Sequence, residues 1–225
     1  MPMNQTHILA VAALVLLGRT PTQGQGTFQN LDFEDGRFVQ VGSDPHTVLW
    51  SLAMPGWTGY IYTNQVTRLL HNDTTLDTAG ISIYGPDYPS PGFFNGHNFV
   101  KLMTGLEPDG SGYTVSPVLA QTGTLPASAR TIEFWSNARY AIGFDVSFSG
   151  QGIALSLLGT TSNGRYVWGG DISAYAGQRG ELSFMGTGYL DNIQFSNLAI
   201  PEPGVLGLSA LGALLLGWRA LRGRR

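Results

Sequence analysis

Short runs of alternating apolar and polar residues, each closed by turn residues, constrain the fold of this chain most strongly. The alternation recurs through residues 27–199, where no segment keeps the apolar spacing of a long helix. Successive side chains of a strand point to opposite faces, so the pattern fits strands that cover a core with one face. Eleven runs are predicted as strands: residues 27–34, 57–62, 81–84, 99–103, 113–119, 131–135, 142–148, 153–158, 165–168, 181–184 and 190–195.

Turn residues separate these runs. The Asn-Gly pair in residues 162–164 (SNG) favours a hairpin with a type I′ turn, and residues 149–152 (SGQG) predict another turn. Residues 171–177 (DISAYAG) predict a single helical turn, with Asp171 or Ser173 at its start and Gly177 past its end. Many short strands at this spacing predict an all-β fold, an antiparallel β-sandwich in one domain over residues 27–199.

The charge balance of residues 27–199 excludes one class of partner. They carry seven basic and fourteen acidic side chains, and Lys101 is the only lysine in the chain. Nucleic-acid binding needs a basic patch that neutralises phosphates, so we expect no nucleic-acid partner. The chain has no cysteine, which excludes disulfides, thiol catalysis and thiolate metal sites.

The last 25 residues combine three different segments. Pro201, Glu202 and Pro203 form a stiff, polar tripeptide, and an uncharged apolar run follows at residues 204–218. The run ends in a basic cluster of Arg219, Arg222, Arg224 and Arg225. A transmembrane helix at about residues 204–221 is predicted, with the arginines on the cytoplasmic side. An ordinary C-terminal anchor is one interpretation; a GPI-type signal would end in its apolar tail, without arginines.

The order of these segments resembles the PEP-CTERM sorting signal of Gram-negative bacteria. Pro201, Glu202 and Pro203 match its motif residue by residue, and the likeness covers residues 200–225. The resemblance implies recognition and processing by a membrane-bound exosortase. It also implies export and passage through the membrane to the cell surface or the extracellular matrix.

The N-terminus gives matching evidence for export. Residues 8–17 form an apolar stretch of the length found in signal peptides, which predicts a signal peptide over residues 1–26. The alternative is a buried N-terminal strand or helix, because no lysine or arginine precedes the stretch.

Five segments of the middle region resemble landmarks of jelly-roll bodies in PEP-CTERM proteins. The first and last also resemble the outer strands of galactose-binding-like and carbohydrate-binding jelly rolls. The segments are residues 28–34 (FQNLDFE), 55–57 (PGW), 121–126 (QTGTLP), 171–177 and 190–196 (LDNIQFS). The likeness implies a structural calcium ion between Glu34 and Asp191, with Asp32 and Asp35 nearby. The alternative places these acids at strand ends and turns facing water.

Aromatic residues around a proline-rich loop predict a place where a sugar could stack. Tyr84, Tyr88, Phe93 and Phe94 lie in or beside residues 84–96, where three prolines exclude a central strand. Rings of this kind can pack against the C–H face of a sugar. The alternative is that they pack in the core, which we expect of Trp57, Trp135 and Trp168.

Sequence motifs of catalysis are missing. The chain has no His-Glu-x-x-His pattern, no Gly-x-Ser-x-Gly elbow and no phosphate-binding loop. We therefore expect no enzyme but an exported envelope protein with a structural or adhesive role in exopolysaccharide or biofilm. A carbohydrate-binding module is the first alternative, and a hydrolase of matrix polysaccharide is the second.

Overall fold

The computed structural model describes residues 25–88, 96–137 and 143–200. These residues form strands, one short helix α1 (Trp50–Ala53) and a 3₁₀ turn at Ser173–Tyr175. The strands are β1 (Thr47–Leu49), β2 (Thr58–Ile61), β3 (Asn64–Gln65), β4 (Arg68–His71), β5 (Gly80–Tyr84), β6 (Phe99–Met103), β7 (Gly105–Leu106), β8 (Thr114–Val115), β9 (Pro117–Thr124), β10 (Thr131–Ser136), β11 (Phe144–Phe148), β12 (Gln151–Gly152), β13 (Leu155–Thr160), β14 (Tyr166–Asp171), β15 (Arg179–Gly186) and β16 (Gly188–Ser196).

Two large sheets contain most of these strands. The eight-stranded sheet has the order β1-β4-β5-β6-β16-β10-β14-β13, and the six-stranded sheet has the order β12-β11-β15-β9-β2-β3. The strands β7 and β8 form a separate hairpin. Neighbouring strands are antiparallel except β4 and β5, which run parallel. The predicted all-β fold with antiparallel sheets is therefore confirmed, with one parallel pair added.

The core lies between the inner faces of the two sheets. Phe134 of β10 meets Phe184 of β15 with ring centres 5.4 Å apart and planes at 86°, which joins one sheet to the other. Both rings are fully buried. The two rings face the core because side chains alternate along a strand: the adjacent residues, Glu133 in β10 and Met185 in β15, point outward. Edge-to-face contact is a favoured arrangement of aromatic rings.

Ten of the eleven predicted runs contain strands, and the first is wrong. Residues 27–34 form turns, with Asn30 at φ 49° and Phe33 at φ 59°. These left-handed conformations interrupt an extended backbone. The side-chain amide of Gln121 donates to the carbonyl of Gln29 at 2.9 Å and accepts from its N–H at 2.6 Å. The Gln121 side chain thus makes the two hydrogen bonds to the Gln29 backbone that a neighbouring strand would otherwise make.

Both predicted hairpin turns are present, but the type I′ turn is not the one that was predicted. Between β13 and β14 only Gly164 has a positive φ, 80°, so the turn through Asn163 is not type I′. Between β11 and β12, Ser149 and Gly150 have φ values of 50° and 76°, as a two-residue type I′ turn requires. The predicted helical turn is confirmed as the 3₁₀ turn that begins at Ser173.

No helix of the described ranges is long and apolar enough to span a membrane. Residues 201–225 of the predicted sorting segment and residues 1–24 of the predicted signal peptide lie outside those ranges.

Candidate ligand-binding face

Aromatic side chains gather on the outer face of the eight-stranded sheet. In β5 and β6 the residues Ile83, Val100 and Leu102 point into the core, so Tyr84, Phe99 and Lys101 point outward. Tyr84 lies directly opposite Phe99, and Lys101 lies opposite Tyr189 of β16. We define the outer aromatic face as Tyr84, Tyr88, Phe99, Lys101 and Tyr189.

The rings of this face form a continuous cluster. Tyr84 and Phe99 stack with centres 5.0 Å apart and planes at 12°. Tyr88 meets Tyr84 edge-on at 4.4 Å, and Tyr189 meets Phe99 edge-on at 5.5 Å. Each ring thereby fixes the orientation of its neighbour.

Tyr84 and Tyr88, two of the predicted sugar-stacking residues, differ in how deeply they are buried. Tyr84 is only 1% exposed, so the expectation that it is an exposed ring is wrong. The physical reason is that three rings surround it: Phe99 stacks on it, and Tyr88 and Tyr189 meet it edge-on. Tyr88 is half-buried, as is Tyr189, which the sequence analysis missed. Phe93 and Phe94 lie outside the described residues.

A polar group lies beside the rings. The Lys101 ammonium donates to Thr74 Oγ1 at 2.9 Å and lies 5.8 Å from the centre of the Tyr189 ring. Burial lowers the pKa of Lys101. Burial also raises the pKa of Tyr84 to about 12, an effect that a hydrogen bond with Thr74 partly offsets. Burial raises the pKa of Tyr189 as well.

A second aromatic–charge contact lies on the same sheet. Arg165 is almost fully buried, with its guanidinium carbon 5.0 Å from the centre of the Trp135 ring. Asp191 is fully buried and pairs with Trp135 in the sheet register. Burial lowers the pKa of Arg165, and the charge of Asp191 opposes this. Trp135 is half-buried outside the core, so its predicted core position is wrong, whereas Trp57 and Trp168 are confirmed as core residues.

Glu34 connects the turn at the start of the described chain to the start of β6. Its Oε1 accepts the backbone N–H groups of His97 at 2.7 Å and of Asn98 at 2.9 Å. The Asn98 side-chain amide donates to the carbonyl of Phe33 at 3.2 Å. Gly96 packs directly against the Glu34 carboxylate with φ 68°, a conformation that glycine adopts without strain.

Calcium between Glu34 and Asp191, which the jelly-roll likeness implies, stays a prediction. Both already accept backbone N–H groups, since Asp191 Oδ1 bonds the N–H of Asn192 at 2.6 Å. Calcium needs six to eight oxygen ligands with lone pairs directed at the ion. Within the described ranges no group of three or more His, Asp or Glu side chains is placed to hold a metal. Of the neighbouring acids, Asp32 bonds the N–H of Glu34 at 3.4 Å.

Comparison with models of protein families, with curated proteins and with solved structures finds no match to this chain.

Proposed function

We propose that this chain is an exported envelope protein of a Gram-negative bacterium, with a non-catalytic, structural or adhesive role in the exopolysaccharide matrix. The observation that carries the proposal is the order of segments in residues 200–225: the tripeptide Pro201–Pro203, the apolar run and the arginine cluster. An exosortase-type enzyme recognises this tail after a signal peptide has directed export.

Contacts between two segments support the finer assignment to a jelly roll, although residues 28–34 form turns where the likeness implies an outer strand. The resemblance pairs the opening landmark, residues 28–34, with the closing landmark, residues 190–196. These two segments are in contact: the N–H of Ile193 donates to the carbonyl of Leu31 at 2.9 Å. The rings of Phe28 and Phe195 also pack with centres 5.4 Å apart.

Mass spectrometry of the mature protein tests the sorting proposal. We expect the wild-type chain, made in a bacterium that has an exosortase, to lose the residues after the tripeptide. A variant with Pro201, Glu202 and Pro203 changed to alanine should keep its whole tail and stay in the membrane fraction. Changing the exposed Pro108 and Asp109 to alanine is the matched control. A wild-type protein that keeps its full tail in the membrane would favour an ordinary anchor.

The outer aromatic face favours a second candidate, a carbohydrate-binding module. Its half-buried rings, Tyr88 and Tyr189, present aromatic surface beside the polar groups of Lys101 and Thr74. Apolar and aromatic surface with a few placed polar groups is the usual lining of a ligand site. Tyr88→Ala and Tyr189→Ala should abolish retention on the producer's exopolysaccharide. Tyr62→Ala, a change of an exposed tyrosine in the turn after β2, should not.

A further inference from the structure

We propose that Lys101 makes the outer aromatic face selective for acidic sugars, by binding the carboxylate of a uronic acid. This inference rests on the carbohydrate-binding candidate above and names the class of sugar that it takes.

The first argument is the position of Lys101. It is the only lysine of a chain with a formal net charge of −3, and it lies among the aromatic rings of the candidate face. Its neighbours in the sheet are Ser82 of β5 and Tyr189 of β16. Lys101 is half-buried, with its ammonium group beside the Tyr189 ring.

The second argument is that no acid of the described chain neutralises Lys101. An ammonium group has three N–H donors, and the described residues supply one acceptor, Thr74 Oγ1. Its lowered pKa has burial as its cause, with no contribution from a carboxylate. Arg165, just before β14, differs, because Asp191 lies close enough to act on its pKa. Among the described residues, Lys101 therefore has two N–H donors and a positive charge that no other protein group uses.

The third argument is the match between this charge and the rings beside it. A carboxylate is the strongest simple acceptor for an ammonium donor, and partial burial strengthens the bond. The half-buried rings of Tyr189 and Tyr88 supply apolar surface for the C–H face of a sugar. A uronic acid carries both features, a pyranose face and a carboxylate, on one ring.

The test compares the binding of an acidic oligosaccharide with the binding of its uncharged methyl ester. Calorimetry with the purified full-length chain in detergent should detect binding of oligogalacturonate. The methyl ester of the same oligomer, which has lost its carboxylates, should bind about tenfold to a hundredfold more weakly. Equal affinity for the acid and its ester would overturn the inference and leave carbohydrate binding intact. Binding of neither oligomer would overturn the inference as well, and retention on the producer's exopolysaccharide would still decide the carbohydrate-binding candidate.

Substitutions test whether Lys101 is the group that recognises the carboxylate. Lys101→Met keeps the length of the side chain and should remove the preference for the acid, while Lys101→Arg should retain it. Arg179→Met, which removes an exposed charge from the six-stranded sheet, is the matched control and should bind as the wild type does. The comparison of acid with ester on wild-type protein holds even if a variant fails to fold. Undiminished acid binding by folded Lys101→Met would refute the assignment.

Discussion

The carboxylate of Glu34 holds the backbone of Asn98, a residue 64 positions later in the chain, by a hydrogen bond of 2.9 Å. The same oxygen accepts a hydrogen bond from the N–H of His97. The side-chain amide of Asn98 in turn donates to the carbonyl of Phe33. The contact fixes the start of β6, the strand that carries Phe99 and Lys101. One side chain of the opening turns thus positions part of the candidate face.

Removal of the Glu34 carboxylate should destabilise the fold. Glu34→Ala leaves two backbone N–H groups without their acceptor, and a hydrogen bond to a charged group contributes about 1.5–3 kcal/mol. We expect the free energy of unfolding, measured with urea, to fall by about 2 kcal/mol. Asp35→Ala, a change at an exposed acid next to it, should stay within about 0.5 kcal/mol. Equal effects of the two substitutions would contradict the role given to Glu34.

Gly96→Ala should destabilise the protein more than Gly110→Ala does. Both glycines have a positive φ, 68° and 81°, so alanine costs about 1 kcal/mol at either position. A methyl group on Gly96 would also collide with the Glu34 carboxylate, while one on Gly110 would meet nothing within 4 Å. We expect thermal unfolding to show at least about 1 kcal/mol of additional loss for Gly96→Ala. Similar losses would mean that only backbone strain matters.

Tyr84 predicts a loss of stability in alkali. Its pKa is raised to about 12 from the ordinary 10.0, so the unfolded chain loses this proton first. Stability is therefore complete below pH 10 and falls as the pH rises towards 12, by about 2 kcal/mol. Tyr84→Phe should flatten urea midpoints measured across this window. Tyr62→Phe, at a 64% exposed tyrosine, should follow the wild-type curve.

His71 predicts a loss of stability in mild acid. Its ring stacks on Phe38 at 4.0 Å, and burial lowers its pKa from 6.5 against the opposing charge of Asp87. The unfolded chain takes up this proton first, so stability falls as the pH drops below about 6.5. His71→Phe keeps the stacking and should flatten the stability profile between about pH 7 and pH 5. A stability profile that His71→Phe leaves unchanged would refute this prediction.

Period-two alternation predicted the long strands because each buries one face against the core. The strands β6, β10 and β16 lie where the sequence placed them, since Val100, Phe134 and Leu190 supply inner-face residues. The short strands β1, at the sheet edge, and β4, next to it, were missed, because three or four residues give too little pattern to detect. Residues 27–34 were mistaken for a strand, since a side-chain amide that occupies backbone groups leaves no trace in local spacing.

The candidate site was predicted only in part. Tyr84 and Tyr88 do lie together, but their exposure depends on how the chain turns back after β5. Phe99, Lys101 and Tyr189 join them through strand register, which connects residues almost 90 positions apart. Local sequence carries no signal for such a register.

The sequence by itself determined the strand-rich character of this protein, its lack of thiol chemistry and the tail from which we propose export, because these depend on composition and on short-range spacing. The tertiary structure decided which residues share a face, which carboxylates accept hydrogen bonds from backbone N–H groups and which described groups surround Lys101. Those outcomes depend on the pairing of distant strands and on the removal of side chains from water, and both arise only when the whole chain has packed.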